Sequence, residues 1–174
     1  GQPANRVRGR VRKMKGTFSG GTAASMKATM AAAAADPRVL GLLRDPFSLT
    51  PGFTGPPQPH GAKPMLDNAV GAWVTPFVMA AINTRNVHRS NFLMKHAYGT
   101  DFVYDEMFIT GVGEKGEAIA KAMAADKSLG GEGGPQPGEG PSKQERETGF
   151  YDVMFLGQNA RGEILKVGVT GDRD

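Results

Sequence analysis

The chain has 174 residues, 39% hydrophobic and 22% charged, with 25 Gly, 12 Pro and no Cys. A chain of that length buries roughly two-thirds of its unfolded surface, enough for one domain with its own core. Zero cysteine excludes disulfides, thiolate metal sites, iron–sulfur clusters and thiol nucleophiles, and it suits a reducing, cytoplasmic setting. The net charge of +4 is unevenly placed: Arg6, Arg8, Arg10, Arg12, Lys13 and Lys15 give residues 1–20 a local +6, leaving 15 basic and 17 acidic groups beyond them. The longest nearly uncharged apolar stretch, Ala69 to Ile82, is too short to span a bilayer, so no transmembrane segment is expected. The opening Gly1-Gln2-Pro3-Ala4-Asn5 has neither an initiator Met nor an apolar signal core and reads as the middle of a longer protein.

Residues 6–12 alternate arginine with small or β-branched residues, the period of a strand with one polar face. Its arginines point to water, to acidic neighbours, to another subunit or domain, or to nucleic acid; no aromatic residues interleave with them to stack bases. Gly16 to Thr22 is a glycine turn feeding an alanine-rich helix through Ala35. Asp36-Pro37 caps and opens a second short helix that ends before Asp45-Pro46. Residues 45–64 carry Pro46, Pro51, Pro56, Pro57, Pro59 and Pro64, a Pro/Gly-rich loop whose Phe47, Leu49 and Phe53 pack onto something.

Thr75-Pro76 reads as the cap and first position of a helix running to about Met94, apolar and core-facing in its first half, with Phe77, Ile82, Val87 and Met94 as core. Its second half turns polar and emerges toward a cleft, an interface or solvent. A strand over 101–110, a short helix over 114–126 and a hairpin of two strands joined by 158–162 follow. Between them, 128–147 is a flexible Gly/Pro-rich surface loop. The pattern predicts an α+β fold: a mostly antiparallel or mixed sheet of about four or more strands with helices packed on one face.

Two places could carry chemistry. Ser19, Gly20, Gly21 and Thr22 open a helix, where free amides and the positive dipole end favour an anion, or they form a simple capped turn. Arg85, His88 and Arg89 share a helix face and could clamp a phosphate or carboxylate, or pair with Asp101, Asp105 or Glu106. Asp105 and Glu106 point to opposite faces of a strand and cannot act as one carboxylate pair. His60 and His96 stand apart from spaced carboxylates, so no metal site is expected, and no residue earns a catalytic assignment.

Lys15 to Ser25, Pro76 to Asn91 and Tyr98 to Glu106, in that order, resemble the saccharopine dehydrogenase-like oxidoreductases, in particular the branch with bacterial trans-acting enoyl reductases. The resemblance covers nearly the whole chain except 128–147. It implies that 1–174 is the substrate-binding and dimerisation domain of a two-domain NADP- or NAD-dependent enzyme, and a fragment of it. The N-terminal Rossmann domain that would hold the cofactor is missing, so the fragment binds no cofactor and is inactive alone. It implies a homodimer acting on a small-molecule substrate, with Ser19, Gly20, Gly21, Thr22, Asn83, Arg85, His88 and Arg89 in substrate contact or at the domain interface. The alternatives are a stand-alone basic module for nucleic acid or another anionic partner, and a structural dimer domain.

Overall fold

A computed structural model describes residues 4–16, 19–126 and 138–172. The arginine alternation forms β1 (Arg6–Lys15), followed by α1 (Gly20–Ala35) and α2 (Pro37–Arg44). Ser19 caps α1, and Asp36 caps α2 by accepting from the Arg38 amide at 2.9 Å. After the proline loop come β2 (Met65–Asp67), β3 (Ala72–Pro76), α3 (Ala80–Leu93), β4 (Val103–Gly111) and α4 (Gly113–Ala125). The chain closes with α5 (Lys143–Glu147) and the hairpin β5 (Phe150–Gln158) and β6 (Ile164–Asp172). The strands form one mixed sheet in the order β2-β3-β4-β1-β5-β6, parallel between β1 and β4 and antiparallel at every other pairing. The α+β class is as the pattern implies.

The register sorts side chains onto two faces. Arg8 lies opposite Asp105 and Leu156, placing Arg6, Arg8, Arg10, Met107 and Leu156 on one face. Gly9 lies opposite Glu106 and Phe155, placing Val7, Val11, Tyr104, Phe108 and Val153 on the other. Helices α3 and α4 cover β3 and β4 on this second face. Thr75 Oγ1 donates to the Ala120 carbonyl at 2.9 Å and Thr110 Oγ1 to the Gly116 carbonyl at 2.8 Å. At Gly116 a side chain would overlap the Gly111 carbonyl, so glycine permits this close helix–strand approach. Val74, Met107 and Leu156 are fully buried in the centre.

Three expectations need correction. Thr75-Pro76 ends a strand instead of opening a helix, and α3 begins at Ala80. Proline is tolerated there because it closes β3 at the last position of its ladder with β4. Second, α3 is inverted in burial: Ile82 and Met94 are exposed, whereas its buried residues are His88 and Asn91. The proline loop packs over the polar half, with Phe47 buried against it. Third, the stretch read as the loop 128–147 ends in a helical turn, α5, with Ser142 and Glu145 forming a reciprocal capping box. Residues 128–137 of that stretch lie outside the described residues.

The arginines meet acids. Arg10, 2% exposed, donates through Nε to Asp67 at 2.7 Å and pairs through Nη1 with Asp105 at 2.8 Å. Arg6 also pairs with Asp105, and Arg12 with Asp152. Removing one partner of a buried pair leaves an uncompensated charge. Arg10→Met strands the Asp67 carboxylate and is expected to lower stability by about 3–5 kcal/mol in urea denaturation, an effect several times that of Arg38→Ala on the exposed Asp36 pair.

Candidate functional site

On the helix-covered face, the alternation of β1 places Gly9 where every neighbouring strand carries a larger residue. The missing side chain leaves room for the Glu106 chain, the Tyr104 hydroxyl and the edge of Phe155: a Cβ at Gly9 would meet them at 3.0, 3.2 and 3.4 Å. Beside it opens a cavity of about 230 Å³ lined by apolar Val11, Met14, Phe77, Val153 and Phe155, by Tyr151, and by the polar Asn83 and Glu106. The Glu106 carboxylate accepts from the Tyr104 hydroxyl at 2.5 Å and from the Asn83 amide at 2.8 Å. Burial, reinforced by the hydrogen bond to Glu106, raises the Tyr104 phenol above its ordinary pKa. The result is a carboxylate held rigidly at the edge of an apolar hollow, with a protonated phenol behind it. Such a pair can orient a polar substrate group.

The structure disperses the residues singled out by sequence. Asn83 reaches this site. Arg85 instead donates through Nε to the Asp45 carbonyl at 3.2 Å and through Nη1 to the Ala81 carbonyl, while burial lowers its pKa. Arg89 donates to the Leu49 carbonyl at 2.9 Å and lies over the Phe92 ring. Both guanidiniums therefore strap down the proline loop, and neither pairs with Asp101, Asp105 or Glu106 among the described residues. Asp105 and Glu106 do fall on opposite faces. At the helix start, Ser19 Oγ accepts from the Thr22 amide at 3.3 Å and lies 3.1 Å from Thr22 Oγ1. The Gly20 amide donates to the Glu139 carbonyl at 2.8 Å, and Gly21 is exposed. Sequence reasoning passed over Gly9 and Tyr104. A glycine inside a strand, between Val7 and Val11 on one face, was the available signal for the first; Tyr104 looked like any strand aromatic.

His88 belongs to a different cluster. It is 3% exposed, 4.6 Å from the Phe47 ring and 5.9 Å from Phe102, and its Nε2 has no hydrogen-bond partner among the described residues. Phe53 lies tilted against His96 with ring centres 4.2 Å apart. Gln58 completes the seam, donating to the Phe102 carbonyl and accepting from the Tyr104 amide at 2.9 Å. It takes the edge of β4 that β3, paired only from Met107 onward, leaves open. Among the described residues there is no group of three or more metal-ligating side chains, and no helix is long and apolar enough to cross a membrane.

A sheet of this order with an apolar, carboxylate-edged hollow is compatible with many activities, and comparison with known proteins narrows the class: the chain is similar to the trans-acting enoyl reductases, which supports an enoyl reductase-like kinship. A Mycobacterium tuberculosis protein provisionally named as such is 35% identical over 189 residues, covering 94% of this chain and 45% of that protein. The trans-acting enoyl reductases of Mycobacterium ulcerans and Mycobacterium bovis are 32% identical over 158 residues, covering 76% of this chain and 38% of theirs. The chain thus spans less than half the length of the curated relatives it matches. No family model matches it, and no solved structure does.

Burial holds His88 neutral, its pKa pushed down to about 4. The unfolded chain titrates this histidine near 6.5, so it takes up the proton first as pH falls. The associated stability is complete above pH 6.5 and is lost between about 6.5 and 4. The full shift corresponds to about 3 kcal/mol. Melting curves recorded across that window are expected to fall steeply for the native chain and less steeply for His88→Phe.

Proposed function

We propose that the chain is the substrate-binding domain of an NAD(P)-dependent, saccharopine dehydrogenase-like oxidoreductase of enoyl reductase type. The observation that carries this reading is the coverage: similarity extends over 94% of the chain yet over less than half of the relative. The rest of such a protein has room for a nucleotide-binding domain. The glycine turn before α1 is poorly suited to a dinucleotide, because the Thr22 and Gly20 amides that would face a pyrophosphate already have partners in Ser19 and Glu139. We therefore assign the nicotinamide to no residue of this chain.

In this reading the hollow at Gly9 receives the unsaturated acyl group, and its apolar walls exclude water. Asn83 and Tyr104 fix the Glu106 carboxylate in one orientation, where it positions the bound group. Beyond the hollow, whose rim carries Met14 and Tyr151, the same sheet face continues as exposed Leu165, Val167 and Val169. An apolar surface of this kind marks a contact. We seat the remainder of the longer protein there, with a second copy of the chain as the competing occupant. The arginine strand gives little support to a nucleic-acid module, because Arg6, Arg10 and Arg12 are paired with carboxylates.

A version of the protein extended to the length of its relatives is expected to bind NADPH or NADH in a fluorescence titration, and the present chain to bind neither. Equal affinity in both would overturn the proposal. In the extended protein, Glu106→Gln is expected to lower turnover of an enoyl thioester about 10²-fold with nicotinamide affinity unchanged.

A further inference from the structure

The opposite face of the sheet holds a second cavity, of about 350 Å³, enclosed by β1, β4 and the segment from Pro59 through β2. Three guanidiniums line it, Arg6, Arg8 and Arg10, against two carboxylates, Asp67 and Asp105. The carboxylates are engaged by Arg6 and Arg10, and Asp67 also accepts from the Ala69 amide at 2.9 Å. Arg8 is left over. It is half-buried, and its one hydrogen bond among the described residues goes to a neutral group, the Gln158 side-chain carbonyl, at 3.3 Å.

A guanidinium partly withdrawn from water, with most of its five donors unassigned, attracts a counter-charge that can meet its fork with two oxygens. The cavity is large enough for more than a bare ion, and Met65 and Met107 give it an apolar side. Asn68 at the border adds a neutral polar contact. We propose that this cavity binds a small organic anion, a carboxylate or phosphate head on a short apolar body, with Arg8 as the residue that recognises the head. The site lies on the other side of the sheet from the Glu106 hollow and stands independently of the reductase reading.

Calorimetric titration of the chain with inorganic phosphate, acetate and butyrate, at matched ionic strength, tests this. Saturable binding is expected with dissociation constants on the order of 1 mM, tighter for butyrate than for acetate if the apolar side takes part. Phosphate binding without carboxylate binding would identify a phosphorylated ligand, and the reverse a carboxylic acid. Arg8→Gln is expected to weaken binding at least tenfold. Arg8→Lys, keeping the charge but losing the fork, should fall between the two. Arg161→Gln in the exposed β5–β6 hairpin should change nothing. Circular dichroism verifies that each variant is folded, and Arg8→Lys serves alone if Arg8→Gln is not. No saturable binding of any probe at concentrations on the order of 10 mM would overturn the proposal. Undiminished binding by the folded Arg8 variants would overturn it equally.

Discussion

The sheet is organised around a buried cation. Arg10 reaches Asp67 at the end of β2 although β3 and β4 intervene between β2 and β1. Three inter-strand spacings amount to about 14 Å in a flat sheet, more than an arginine side chain can bridge. The bond at 2.7 Å therefore requires β2 and its turn to curl over the arginine face. Burying a charge costs several kcal/mol unless good geometry and further hydrogen bonds offset it. Both are present: Asp105 supplies the second carboxylate, and Asp67 itself accepts the Ala69 amide, while its carbonyl takes the Gly71 amide at 2.8 Å. The same curl closes the cavity over Arg8.

This arrangement divides the sheet into two chemistries separated by the thickness of one strand layer. Even-numbered positions of β1 up to Arg12 carry arginines, of which Arg6, Arg10 and Arg12 meet carboxylates, and odd-numbered positions lie on the face of the apolar hollow. Adjacent residues Asp105 and Glu106 repeat the division on β4: one neutralises guanidiniums, the other is held by an amide and a phenol. Because side chains alternate strictly, a slip of one residue between β1 and β4 would place arginines in the hollow and glycine opposite Asp105. The ion pairs therefore also fix the register that keeps the hollow apolar.

What the sequence disclosed follows the same physics. The strands β1, β4, β5 and β6 were legible because each is long enough to show its pattern, and α1 and α2 because composition and the Asp36-Pro37 cap mark them. The strands β2 and β3 were not. A run of three residues has no readable period, and Thr75-Pro76 imitates a helix start. The inversion of α3 was hidden because burial there is set by a remote segment. Its polar half is covered when Arg85 and Arg89 bind carbonyls of the proline loop, a contact spanning 40 residues that leaves no local trace. Of the candidate site, only Asn83 was legible by type. Glu106 was recognised as pointing away from Asp105 without being given a role.

The distribution of exposure argues for a surface shaped by something beyond this chain. A 16-residue helix with one buried residue, Gly20, derives little stability from packing, and its length only just exceeds the roughly 12–15 residues below which even an alanine-rich helix is marginal in water. Met26 and Met30 on α1 are exposed, as are four large apolar residues on the edge strand β6. Solvated edges usually carry charge or proline that blocks pairing with other chains. β6 has little of this, with Lys166 the lone charge in the run from Ile164 to Gly171. Its apolar residues Leu165, Val167 and Val169 share a face with Val153 and Phe155, which wall the Glu106 hollow. Whatever covers that face therefore lies over the same strand, β5, that walls the hollow through Val153 and Phe155.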